Sequence, residues 1–140
     1  MTVEIAAVVL VDKRGWLLLQ ERDEHAPTDP DRWSMVGGHL EPGEDHLTGA
    51  VRELEEETEI RVDPDDLTYV GAFSEPVQDV TFDVYVAGVD LTDADVVCHE
   101  GRQIVFVDPA TFDDLDLTDS ARMVLPGLIG SALYRELVGA

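Results

Sequence analysis

Residues 45–58 restrict the fold more than any other stretch of this chain. Leu47, Ala50, Val51 and Leu54 recur at i, i+3, i+4 and i+7, the period of a helix with one buried face. Pro42-Gly43-Glu44-Asp45 precedes them and places Asp45 or Glu44 to cap the amides of the first turn. On a wheel turning about 100° per residue, with Glu53 at zero, Glu57 falls near 40°, Glu56 near −60° and Arg52 near −100°. Ala50, Val51 and Leu54 lie between about 60° and 160°. Three carboxylates therefore share one side of the helix beside its buried stripe. Like charges three and four residues apart cost a few tenths of a kcal/mol per pair. A hard divalent cation, which prefers oxygen ligands, would offset that cost. Without further evidence, a Glu-rich run in an acidic chain reads first as a solvated face.

The segments around this helix read mainly as strands. Val3–Val11 is rich in β-branched residues, residues 16–20 form a second apolar run, and the charged turn Asp12-Lys13-Arg14-Gly15 joins them as a hairpin. Residues 21–32 are polar and contain Pro27 and Pro30, which suits a surface loop. A short strand over 33–36 runs into Gly37-Gly38. After the helix, residues 67–73, 80–89 and 103–107 carry β-branched and aromatic residues and read as strands. Residues 109–115 suit a short helical turn, and 120–138 a terminal helix interrupted near Pro126-Gly127. The order β-β-β-α-β-β-β-α favours an α+β fold with a mixed sheet over a doubly wound parallel one.

A chain of 140 residues is expected to form one domain spanning 1–140 with a sizeable core. Its 9 Lys and Arg against 31 Asp and Glu give a net charge of −22, so nucleic-acid polymers and anionic membranes are poor partners. A phosphate-bearing ligand would need divalent cations as mediators. The same acidity also fits a high-salt habitat or a biased genome. The longest apolar run, residues 5–11, is too short to span a bilayer and lacks a basic flank. Cys98 is the sole cysteine, which fits a reducing cytoplasmic location; it is expected to be a small buried residue. The four histidines lack the mutual spacing of a zinc site.

The spacing upstream of the helix separates the two readings of its carboxylates. Gly38 is followed by five residues, Glu44, seven residues, then Arg52-Glu53-Leu54-Glu55-Glu56-Glu57, with Ile60 closing the series. A chance match at this chain's own residue frequencies is on the order of 10⁻⁶ to 10⁻⁵. The segment resembles the signature box of the Nudix hydrolases: Gly-x5-Glu-x7-Arg-Glu-aliphatic-x-Glu-Glu-x-Gly-aliphatic. It covers 23 of the 140 residues, and the flanking strands follow the family's order. Glu59 stands where the pattern has Gly, and Val36 where many members carry Pro.

The resemblance implies an α/β/α sandwich and Mg²⁺- or Mn²⁺-dependent hydrolysis of a phosphoanhydride in a nucleoside diphosphate derivative. Glu56 and Glu57 would be principal metal ligands, Glu53 a ligand or general base, and Arg52 its orienting partner. Gly37 and Gly38 would let the backbone bend sharply and approach a ligand, with the Gly38 carbonyl as a further metal ligand. Glu44 would tie loop to helix or contact metal through water, and is grouped with Arg22 as substrate-binding. Glu100 matches a loop position where many members place another metal-binding or basic Glu, and reads equally as a solvated loop acid. Arg22 resembles a phosphate-contacting position, and reads equally as a partner of Glu21 or Asp23. Trp33 is placed to stack on a base or to join the core, and the core is the expectation; Phe73, Phe82, Tyr85 and Phe106 are expected in the packing. Gly49 is expected to allow close packing of the helix.

Two other readings keep the same fold: a nucleotide-sensing module that does not hydrolyse its ligand, and an isomerase, for which no acid-base pair stands out. Pro76, sixteen residues beyond Ile60, resembles a proline that marks some ADP-ribose-cleaving members. Nucleoside triphosphates and nucleotide sugars also remain as substrates, and a homodimer is the commonest default assembly.

Overall fold

A computed structural model describes residues 3–138. Six strands, β1 (Val3–Val11), β2 (Leu17–Glu21), β3 (Trp33–His39), β4 (Thr68–Glu75), β5 (Val80–Gly88) and β6 (Gln103–Val107), form one mixed sheet in the order β4-β5-β1-β3-β2-β6. β1 runs parallel to β5 and antiparallel to β2 and β3. Helix α1 (His46–Thr58) covers one face, while α2 (Asp119–Ile129) and α3 (Ala132–Val138) cover the other. The result is the α/β/α sandwich the resemblance implies.

Both faces of β1 are covered, which explains its unbroken apolar run. Ala6, Val8 and Leu10 point into the core under α1, with Ala50 and Leu54. Ala7, Val9 and Val11 point into the opposite core, with Ala121, Val124, Leu125 and Leu128 of α2. Asp45 caps α1 as expected, its Oδ1 accepting the Thr48 N–H at 2.7 Å.

Four expectations need correction. The strand at Trp33 does not stop at Val36: Gly37 and Gly38 stay extended and pair with Ala7 and Ala6, so there is no sharp bend. Glycine is needed there for close approach, because a Cβ on Gly37 would lie 2.3 Å from the Ala6 carbonyl oxygen. The terminal helix does not break at Pro126, which sits inside α2; the break falls at Gly130-Ser131. A proline inside a helix costs about 3 kcal/mol. Here Val124, Leu125 and Leu128 are each at most 3% exposed, and burial of about 1.5–3 kcal/mol per side chain outweighs that cost. Cys98 is exposed, with its Sγ near the carbonyls of Glu100 and Gly101. Short 3₁₀ turns at Pro64–Asp66 and Asp93–Asp95 were not anticipated.

Glu59 ends α1 at φ 62° and ψ 13°, its N–H donating to the Glu55 carbonyl at 2.8 Å. The left-handed exit is kept although the residue is not glycine, at a cost of about 1 kcal/mol.

Candidate active site

Local backbone brings α1 onto β3 at the two glycines. A Cβ on Gly38 would lie 2.4–2.7 Å from the carboxyl atoms of Glu53, so the missing side chain is the seat of that carboxylate. Gly49, as expected, gives Leu40 and Glu44 room against the helix. Glu57, one turn on from Glu53, is only 5% exposed and accepts the Gly37 N–H.

Arg52 organises the outer side. Its Nε and Nη2 bind Glu44 in a fork at 2.7 and 2.9 Å, its Nη1 donates to Glu53 Oε1 at 2.9 Å and Glu56 Oε2 at 3.1 Å, and its Nη2 reaches the His39 carbonyl at 3.1 Å. This fork, with the Glu41 N–H, holds the Glu44 carboxyl down at about 2. Arginine suits the task because its rigid fork meets carboxylates two bonds at a time. Glu44 thus ties loop to helix through Arg52.

A cavity of about 650 Å³ opens beside these residues. Gly38, Glu53, Glu57 and Glu100 form one wall; Ile5, Ala7, Met35, Val80 and Phe82 supply an apolar lining; Arg22, Thr28, Asp29 and Gln78 stand in the loops around it. Of the residues anticipated for the site, Gly38, Glu53, Glu57, Glu100 and Arg22 line the cavity. Arg52, Glu44 and Glu56 do not; Glu56 is 57% exposed and held by Arg52. Arg22 pairs with neither Glu21 nor Asp23 through its guanidinium, which donates to the Thr28 carbonyl at 2.8 Å and to Thr28 Oγ1 at 3.3 Å.

The electrostatics of the wall are unusual. Burial, and then a side-chain hydrogen bond with Glu100, push the Glu57 carboxyl up to about 9, with the charges of Glu100 and Glu53 adding to the effect. Burial also raises Glu53, against the pull of Arg52. Two carboxyl groups in contact need a proton or a cation between them. Glu57 Oε2 is buried with no donor to satisfy it, in a residue that lines the cavity. Among the described residues no three acidic, His or Cys groups are gathered into a ready metal cage. Oxygen-only donors, an orphaned carboxylate oxygen and excess negative charge nevertheless fit a hard divalent cation, which commonly takes a few carboxylates and keeps its waters.

Three contributors were not anticipated. Gln20, 3% exposed after the apolar half of β2, donates its Nε2 to the Glu100 carbonyl at 2.7 Å and so fixes that loop. Its signal was a polar residue at the end of the Leu17-Leu18-Leu19 run. Ser34 lines the cavity with a buried, unpartnered Oγ. Glu59 meets His99 at 2.6 Å.

Comparison with known proteins agrees with this geometry. The NUDIX domain family model matches residues 1–127. Dihydroneopterin triphosphate diphosphatase of Escherichia coli K12 is 32% identical over 133 residues, which span 86% of this chain and 82% of that protein. A MutT structure reported for Aliivibrio salmonicida and Vibrio cholerae superposes with a TM-score of 0.75 at 24% identity, covering 93% of this chain and 98% of that one. MutT from Methanosarcina mazei Go1 gives 0.71 at 21% identity over 97% and 92%. No helix among the described residues is long and apolar enough to cross a membrane. With the box geometry, the sandwich and a family match over most of its length, this chain belongs to the Nudix hydrolase family.

Proposed function

We propose that this Nudix pyrophosphohydrolase uses Mg²⁺ or Mn²⁺, held by Glu53, Glu57, Glu100 and the Gly38 carbonyl, to hydrolyse a phosphoanhydride in a nucleotide-like polyphosphate. The observation that carries the reading is the buried, unpartnered Glu57 oxygen of a carboxyl that lines the cavity with Glu53 and Glu100. When bound, the cation supplies charge neutralisation at the anhydride oxygens and acidifies water. It would also let a protein of charge −22 accept a polyanion. Glu56, now paired with Arg52, would be a further ligand for the cation.

The chain's own residues supply positioning and proton transfer. Glu53, seated on Gly38 and held by Arg52, takes the proton of the attacking water. The new P–O bond forms as the bridging P–O bond breaks, and the leaving phosphate departs with the bridging oxygen. Arg52, fixed by Glu44, prevents Glu53 from swinging away. Arg22 meets phosphate at the cavity mouth. Ile5, Met35 and Phe82 exclude water and hold an apolar, planar group, and Ser34 Oγ offers that group a hydrogen bond.

The 32% identity to a diphosphatase named for dihydroneopterin triphosphate supports heading the substrate panel with that compound, followed by nucleoside triphosphates, ADP-ribose and nucleotide sugars. Pyrophosphate or phosphate release, with a coupled phosphatase for products that are phosphomonoesters, is measured with Mg²⁺, with Mn²⁺ and with chelator. The expected result is metal-dependent cleavage of one compound well above the others, lost by about 10²-fold or more in Glu57→Gln. Turnover that survives chelation or Glu57→Gln overturns the reading. Nucleotide binding without turnover would replace it with the sensing module.

A further inference from the structure

Residue 59 is where this chain leaves the family pattern, and its side chain is in use. Glu59 holds a left-handed backbone, φ 62°, that glycine would adopt more cheaply. Its Oε2 lies 2.6 Å from His99 Nε2. Beside this pair the segment before Glu100 is fastened to the end of α1: the Val97 N–H donates to the Thr58 carbonyl at 3.1 Å and the His99 N–H to the Glu57 carbonyl at 3.0 Å. The next residue is Glu100, whose carboxyl meets Glu57. Two carboxylates facing each other repel once ionised, so the loop carrying one of them needs a tether to the helix carrying the other. Gln20 supplies a tether from β2.

We propose that Glu59 is a positioning residue: through His99 it holds the 97–100 loop in register with the end of α1, so that Glu100 meets Glu53 and Glu57 at the cavity. This rests on Glu100 belonging to the site, as proposed above. The pair itself is half exposed, 58% and 50%, so its effect is expected on loop position and hardly at all on global stability.

The test compares Glu59→Gly, Glu59→Gln, His99→Ala and the double variant Glu59→Gly/His99→Ala, with Glu55→Gln as a control on the same helix. Three quantities are read: Tm, amide hydrogen exchange at Val97 and His99 in metal-free protein, and kcat and KM with the best substrate. Glu59→Gly is expected to keep or raise Tm, because it relieves the left-handed strain. It should also speed exchange at both amides by about tenfold and lower kcat by about tenfold with KM near wild type. Glu59→Gln, which keeps an acceptor for His99, should recover most of both effects. The double variant should add nothing to the single ones. Wild-type exchange in Glu59→Gly overturns the tether whatever the activity. Faster exchange with unchanged kcat overturns the positioning role. Glu100→Gln separates the two claims: if that variant retains full turnover, the site assignment fails and the positioning role falls with it, while the exchange data still judge the tether.

Discussion

Alanine at Gly37 and at Gly38 should have opposite consequences, although the two residues are adjacent and equally extended. A Cβ at Gly37 would lie 2.3 Å from the Ala6 carbonyl oxygen and 2.8 Å from the Ala7 Cα. Both atoms belong to a backbone fixed on two sides, by β3 and by β5. Nothing there moves without shifting strands, so Gly37→Ala should cost about 1–3 kcal/mol or more, the range for overpacking. The nearest atoms to a Cβ at Gly38 would be those of the Glu53 carboxyl, at 2.4–2.7 Å. That carboxyl is a side-chain terminus that can yield against its bond to Arg52, and retreating by about 1 Å restores ordinary contact at 3.4 Å. Gly38 has no positive φ, so alanine also gains about 0.4–1 kcal/mol by restricting the unfolded chain. Gly38→Ala should therefore unfold in urea within about 1 kcal/mol of wild type. Its turnover should fall by about 10²-fold, the penalty for moving a reacting group 1 Å. Paired urea melts and steady-state assays on the two variants decide the matter. Gly38→Ala with turnover within about twofold of wild type would refute the idea that this glycine seats the Glu53 carboxylate.

Glu57→Gln should lose turnover yet stabilise the metal-free protein at alkaline pH. The folded-state value of about 9 lies above the ordinary 4.5. The stability linked to this group is therefore fully present below about 4.5 and drains away as pH rises toward 9, by at most about 1.4 kcal/mol per pH unit. In chelator, urea melts from pH 5 to 9 should show wild type weakening relative to Glu57→Gln; a difference independent of pH contradicts the raised value. Leu54→Ala, at a position with no exposure under α1, should lower stability by about 2–5 kcal/mol, and a loss under about 1 kcal/mol would mean that α1 is not anchored there.

The sequence alone determined those features that depend on short spacings. The 3.6 period of Leu47, Ala50, Val51 and Leu54, capped by Asp45, specifies α1, and the spacing from Gly38 through Glu57 specifies the box, because both are read along one stretch of chain. The strands were legible for the same reason, as short β-branched runs between turn residues. Tertiary structure alone decided what those residues do to one another. Whether Pro126 breaks α2 depends on how much aliphatic surface the sheet buries beyond it. Glycine at 37 and 38 answers to atoms of Ala6 and Glu53, far along the chain, and not to a local bend. Glu57 and Glu56 are neighbours with the same side chain, yet one is buried and raised while the other is exposed on Arg52, because helix rotation is set by packing against β3. Glu100 read equally as solvated acid and as site member, and its place on the cavity wall depends on Gln20, Glu57 and Thr58, at separations no local pattern spans.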